Sequence, residues 1–420
     1  MSGFLAAAFV LAATIVASLL VVPAARRTGL DVWHPAVAWI ALELVFFGLG
    51  SAVVAITDGR TGPALYVGGA VLAFALAVAA SDRLASRRAL ARPQPNAAGA
   101  DPETRIRPVV VVVLAIVGVA ALLPTLVSVG IPFLTNDITG ARSEVGGLDL
   151  QILRVTLPAA VLMAVIGAVR GGTRRARSIA IGAFVIAVAA EVGLASRYLS
   201  AELVAAIVLG LAIAGRPIPV RGLAAIGLVA AVLFVSVGIL RAYDQAAGHE
   251  LDFAVDRSVN RILLIQPRTL DAVQTTIPAE QPFFDGLTWV RRIAPILGRN
   301  DVPNLGYWIY PRLFPDQATA GYAAPGLAGE AWANFGWLGL GLFALLGAFV
   351  ERLGALIAIR RREVADVIAA ALATLFVART HALGVDGVAV LLAIVVAWRL
   401  LAAPVGGLAT DLRAAAAWRI

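Results

Sequence analysis

The stretch GEAWANFGWLGLGLFALLGAFV (residues 329–350) decides how the chain is read, because it passes from a glycine- and aromatic-rich polar segment into an unbroken apolar run. Helical spacing places Glu330 and Asn334 on one face, four residues apart, where the chain moves from water into lipid. A carboxylate at that depth is costly unless it has a partner or a task. Trp332, Phe335 and Trp337 suit the aromatic belt of a membrane interface. Gly329, Ala333, Gly336, Ala344 and Gly347 fall near one stripe that would let a second helix approach closely. The same features also describe a packing face with an interfacial cap, and both readings stand at this point.

Outward from that stretch, composition sets the class. Of 420 residues 60% are hydrophobic, the mean hydropathy is +0.89, and apolar runs of about 20 residues recur, which predicts an all-α polytopic membrane protein. All 34 basic side chains are arginine. Cysteine is absent, which excludes disulfides and thiolate metal sites. The arginines gather in short loops between apolar runs, where orientation in a bilayer explains them better than a nucleic-acid partner does. Walker, Rossmann and HExxH patterns are missing, so neither cytoplasmic ATP hydrolysis nor a zincin reaction has support, and no cofactor is expected.

About eleven transmembrane helices are expected, near residues 4–22, 36–56, 63–80, 109–131, 152–169, 178–195, 199–215, 222–240, 331–350, 364–380 and 387–402. The first carries no positive residue before it and Arg26 and Arg27 after it, the reverse of a cleaved signal peptide, so the N-terminus is expected outside and the C-terminus inside. The arginine-rich segments 81–107, 170–177 and 216–221 then lie in the cytoplasm. Three blocks follow: residues 1–240 with helices 1–8, one large external loop between helices 8 and 9 over 241–325, and residues 326–420 with helices 9–11 and a cytoplasmic tail. No internal repeat at a fixed period is visible.

The external loop is where chemistry is expected. Residues 252–273 read as a helix with Arg257 and Arg261 on one face, joined by Arg268 if the helix survives Pro267, which is expected to kink or end it. Guanidinium forks match phosphate oxygens and can grip a pyrophosphate; the alternative is a solvated face paired with Asp252, Asp256 and Asp271. Residues 286–299 read as an amphipathic segment along the outer leaflet. Residues 304–316 form a loop dense in aromatics, and Tyr307, Trp308 and Tyr310 offer the faces and hydroxyls of a sugar cleft, although they would equally anchor a loop at the interface. Arg142 in loop 132–151 and Arg197 at a tight hairpin tip lie at the same outer level. So does Arg379-Thr380-His381, followed by Asp386. His381 is one of three histidines, with His34 and His249, and can take a proton from a sugar hydroxyl; its alternative is a structural interfacial histidine.

The run from Gly306 to Arg352, with Leu313-Phe314-Pro315, Gly329-Glu330, Asn334-Phe335-Gly336 and Gly339, resembles the O-antigen polymerase (Wzy) family of oligosaccharide repeat-unit polymerases. Residues 196–204, SRYLSAELV, look like the arginine-bearing helix start of these proteins. The close match covers about a seventh of the chain. The resemblance implies a GT-C-like membrane glycosyltransferase at the outer face of the bacterial cytoplasmic membrane. Such an enzyme joins repeat units carried on undecaprenyl pyrophosphate into a cell-surface polysaccharide, without nucleotide sugar or required metal, beside a flippase and a chain-length regulator. In this reading Arg142, Arg197, Arg257, Arg261 and Arg379 hold pyrophosphate, and His381 or Glu330 deprotonates the acceptor hydroxyl, while Asn334 and the aromatics bind substrate. An O-antigen ligase is the nearest alternative. A transporter of lipid-linked sugars is more distant, with Glu43 and Glu191 as its acids within spans, and a scaffold is the weakest.

Overall fold

The computed structural model describes residues 2–89, 108–134, 147–171, 173–194, 197–216, 260–291, 302–315, 322–360, 364–381 and 385–402, with isolated positions between 218 and 232. Among the described residues there is no strand. In chain order the helices are α1 (Gly3–Thr28), α2 (Pro35–Glu43), α3 (Leu49–Thr57), α4 (Gly62–Ala89), α5 (Pro108–Ala121), α6 (Leu123–Val129), α7 (Gly147–Gly171), α8 (Arg174–Gly193) and α9 (Arg197–Ile213). After them come α10 (Ile265–Thr276), α11 (Leu305–Leu313), α12 (Gly326–Phe335), α13 (Leu340–Arg360), α14 (Val364–Ala378) and α15 (Val385–Ala402).

Among the described residues seven helical stretches are long and apolar enough to cross a membrane: Gly3–Thr28, Pro35–Thr57, Gly62–Ala85, Val109–Val129, Leu150–Val169, Gly326–Ala358 and Val364–His381. They correspond to seven of the expected spans. Helix α8 occupies the sixth, and the shorter apolar helices Ala201–Ile213 and Gly387–Val396 fall at the seventh and eleventh. The eighth, 222–240, lies largely outside the described residues. The regular structure of the described residues is thus all-helical and multi-pass in character, consistent with a lipid bilayer as solvent.

The chain divides into two compact units. The first comprises Met1–Gly99, Gln245–Ala358 and Phe376–Ala389. Within it α1 runs antiparallel to α3, with Gly3 against the Ala55 carbonyl, and parallel to α4, with the Phe9 ring against Gly68. Helix α13 runs alongside α4, Leu340 lying against Gly69 and Gly347 against the Phe74 backbone. Lipid is as apolar as these side chains, so close backbone approach at small residues, more than burial itself, holds such helices together. Trp39 stacks on Phe74 with ring centroids 4.0 Å apart and meets Phe343 at 6.1 Å, filling the space among α2, α4 and α13.

Three expectations for this unit are corrected. The ninth span is not one helix from 331 to 350: it breaks at Gly336, whose φ of +55° suits glycine alone, and a 3-10 turn (Gly336–Gly339) separates α12 from α13. The small residues therefore do not form one continuous stripe; Gly336 meets the Phe283 ring while Gly347 meets α4. The aromatic segment 304–316 is a helix and not a loop over most of its length, because the Asn304 side chain accepts from the Gly306 N–H and caps α11. Pro267, expected to kink or end the helix, does not end it: the helical run passes from the π turn Asn260–Leu264 into α10, and Pro267 falls in the first turn of α10.

The second unit comprises Ala100–Asp244, Ile359–Leu375 and Val390–Ile420. Helix α5 packs on α7 with Gly118 against the Thr156 hydroxyl, and α9 packs on α7 with Gly210 against Leu162. Arg154 of α7 and Glu202 of α9 form a buried two-pronged ion pair, Nε to Oε2 at 3.1 Å and Nη2 to Oε1 at 2.5 Å. Paired in this way, neither charge is left bare inside the helical bundle.

Candidate functional site

The site is built in the first unit around α12. Three of its positions, Gly326, Glu330 and Asn334, repeat at four-residue spacing and share a face. Asn334 is fully buried. Its Nδ2 donates to the Thr288 hydroxyl at 2.6 Å and to the Glu330 carbonyl at 2.7 Å, and its Oδ1 accepts from the Gly286 N–H at 2.9 Å. Two backbone bonds lie beside this clamp, Phe284 N–H to the Ala333 carbonyl and Asp285 N–H to the Asn334 carbonyl. The segment after α10 is therefore fastened to the end of α12, and the Asn334 amide is committed to holding it.

The other end of α12 meets the 3-10 turn Arg379–His381. Gly326 has φ +57°, and a Cβ there would stand 2.2 Å from the His381 carbonyl oxygen. All three residues of the turn are buried. The His381 ring lies flat against Phe46, centroids 3.9 Å apart and planes 11° from parallel. Its Nδ1 is 3.0 Å from the Ala378 carbonyl oxygen; a carbonyl only accepts, so Nδ1 carries the proton and the neutral ring keeps its lone pair on Nε2. Thr380 Oγ1 accepts from the Trp39 indole N–H at 2.7 Å. Glu330 and Arg379 are each engaged by neighbouring groups. The arrangement offers a nitrogen base, a carboxyl and a guanidinium on two elements that pack together.

Two π turns complete the surroundings. The turn Leu44–Gly48 follows α2 directly and packs against a second, Asn260–Leu264, that leads into α10. Gly50, just beyond the first, lies against the Leu263 carbonyl. The backbone of Arg261 is brought to the helix that carries Phe46, and nothing is described of its side chain. Single π turns recur at functional sites because the extra residue re-aims side chains without ending the helix.

The aromatic residues occupy a separate layer. Helices α10, α11 and α12 share an apolar cluster of Val273, Ile277, Phe284, Leu305, Ile309 and Ala333. Tyr307 is exposed and meets Tyr322 edge-on at 5.2 Å. Trp308 lies between Phe284, edge-on at 6.3 Å, and the Arg312 guanidinium, 4.0 Å from its ring centroid. Tyr310 tilts against Phe314. At the rim Arg268 pairs with Asp58 and Arg60 with Asp271, so Arg268 meets the carboxylate of another segment. Burial pushes the Asp271 carboxyl upward, as does neighbouring Asp58, while Arg60 opposes both.

Of the residues singled out from sequence, Glu330, Asn334, Arg379 and His381 are therefore brought to adjoining elements, and Tyr307, Trp308 and Tyr310 to one helix. Arg197 starts α9 in the second unit, and nothing is described of its side chain; Arg142 and Arg257 lie outside the described residues. Sequence reasoning missed Phe46, Thr288 and Gly326 as parts of the site. The spacing of Trp39, Glu43 and Phe46 along the second span was a usable signal for one of them. No family model, curated protein or solved structure matches the chain.

Proposed function

We propose that this chain is a membrane glycosyltransferase that polymerises repeat units carried on a lipid pyrophosphate, working at the outer face of a bacterial cytoplasmic membrane. Eleven spans in a GT-C-like arrangement, N-terminus outside and C-terminus inside, belong to the same proposal. The observation that carries it is the His381 turn. A buried imidazole with its lone pair on Nε2 sits beside Arg379 and against the helix that bears Glu330.

In the reaction His381 Nε2 takes the proton of the acceptor sugar hydroxyl, with Glu330 as the alternative base. The freed oxygen attacks the anomeric carbon of the donor glycan, and the bond from that carbon to the pyrophosphate oxygen breaks with its electron pair going to the leaving group. Arg379, together with Arg261 and Arg257, offsets the charge that develops there; Arg142 and Arg197, given the same task from sequence, belong to the second unit. The proton leaves with the released lipid pyrophosphate. Tyr307 and Trp308 give the growing chain an aromatic surface along which sugars stack. A lipid-linked oligosaccharide flippase and a chain-length regulator are the expected partners.

The test is a gel of surface glycans and lipid-linked intermediates from a deletion strain complemented with wild type, His381→Ala or Arg197→Ala. Single repeat units in the deletion and variant lanes, with a ladder restored by wild type, support polymerisation. Long chains stranded on the lipid carrier turn the assignment to a ligase. An unchanged profile removes both and favours transport.

A further inference from the structure

Glu43 is a buried carboxyl of the first unit to which the proposed reaction gives no role. It is 3% exposed, at the last position of α2, inside an apolar span and directly before the π turn. Among the described residues no cation pairs with it. A carboxyl placed so is costly in lipid and marks function more often than packing.

Its helix face shows what it serves. Trp39, one turn earlier, donates to Thr380, and Phe46, three residues later, stacks on His381. Phe47 packs against Gly326, which itself meets the His381 carbonyl. Glu43 lies between Trp39 and Phe46 on a helix whose contacts before and after it both end on residues 380 and 381, which places its backbone beside the same turn.

We propose that Glu43 is the positioning residue for His381: its carboxylate stabilises the imidazolium that forms when Nε2 accepts the acceptor proton. The inference rests on the polymerase reading for its purpose, though not for its physics. Nδ1–H stays on the Ala378 carbonyl throughout, the gained proton sits on Nε2, and it departs with the released lipid pyrophosphate, so Glu43 exchanges no proton with substrate. Other charged groups stand on the elements packed at its turn: Glu330 on α12, whose charge acts in the same direction, and Arg379 on the turn itself, whose charge opposes both. Of the two carboxyls, Glu43 is the one whose own helix also grips the ring.

The test uses the full chain in lipid nanodiscs, labelled with 15N in its three histidine rings, the His381 signal being assigned by its loss in His381→Asn. The expected result is that Glu43→Gln, which keeps the shape, lowers the proton affinity of the His381 ring about tenfold or more, as loss of a nearby opposite charge does. Glu43→Asp should retain most of that affinity, which a merely structural role for the side chain would not require. Circular dichroism and thermal unfolding of each variant separate misfolding from coupling; if Glu43→Gln is unfolded, the Asp variant must still shift the ring by a smaller amount in the same direction. An unmoved His381 titration in a folded Glu43→Gln overturns the proposal, as does a shift that appears only in Glu330→Gln. Titration is read without substrate, so a wild type that makes no polymer refutes the polymerase reading while leaving this coupling standing, and the converse result is equally distinct.

Discussion

Asn334→Ala removes three hydrogen bonds at a fully buried side chain, at 2.6, 2.7 and 2.9 Å. A net contribution of about 1 kcal/mol each gives about 3 kcal/mol, and the Gly286 N–H left without its acceptor keeps the sum from falling much lower. Thr288 can turn its hydroxyl to a new partner, which keeps it from rising much higher. The loss should be local, because the backbone bonds from Phe284 and Asp285 to the end of α12 remain. Hydrogen exchange of the amides from Phe284 to Leu287 is the direct assay, and about 3 kcal/mol corresponds to roughly a hundredfold faster exchange where opening controls it. Asn334→Asp keeps an acceptor for Gly286 but sets a carboxylate against the Glu330 carbonyl, so it should fall between wild type and alanine at Gly286. Protection within threefold of wild type in Asn334→Ala would refute the clamp and return Asn334 to the substrate-binding role expected from sequence.

Other positions give sharper numbers for single effects. In the second unit, Arg154→Ala or Glu202→Ala alone should cost about 3–5 kcal/mol, because each leaves an uncompensated buried charge, whereas Arg154→Met with Glu202→Leu should recover most of it; thermal unfolding in detergent reads both. Burial pushes the His34 imidazole down to about 4. The unfolded chain therefore binds the extra proton, so this contribution is complete above about pH 6.5 and is lost as pH falls toward 4, up to about 3 kcal/mol. His34→Asn, which can still cap α2 in place of the Nδ1 bond to the Ala36 N–H, should flatten that dependence in unfolding scans from pH 7 to 4. Gly354→Ala sets a Cβ 2.1 Å from His34 Nε2 and should destabilise by about 1–3 kcal/mol. Pairing it with His34→Ala should relieve part of that cost, and strict additivity in the double variant would refute the contact.

How much of this was readable beforehand depends on what each residue does locally. Apolar runs announced the spans because lipid tolerates only satisfied helical backbone, and that constraint acts on every residue of the run. Glu330 and Asn334 were placed on one face correctly, since four-residue spacing holds in any helix. The break at Gly336 was hidden because a glycine inside an apolar run reads the same whether it serves a helix contact or a positive φ; the Phe283 ring and the Tyr66 hydroxyl near Gly339 settle it, and both are remote in sequence. The role of Asn334 was hidden likewise, its Thr288 partner being 46 residues away. The helix at 305–313 was legible in principle, for Asn304 is a strong cap, but aromatic density suggested an interfacial loop more loudly than one capping residue suggested a helix.

The two ends of α12 bear on each other mechanically. It is ten residues long, about 15 Å at 1.5 Å per residue, and too short to bend without breaking hydrogen bonds. Gly326 at one end touches the His381 carbonyl with no room for a side chain, and Asn334 at the other end holds the segment after α10. A displacement of that segment therefore reaches the histidine as movement of a rigid rod. The glycosyl transfer proposed above would gain from such a link, because its proposed base, His381, would be seated only when that segment is. The consequence separates Asn334 from the substrate-binding role it was given by sequence: its loss should weaken transfer through the geometry of His381, altering the maximal rate more than the substrate concentration required to reach half of it.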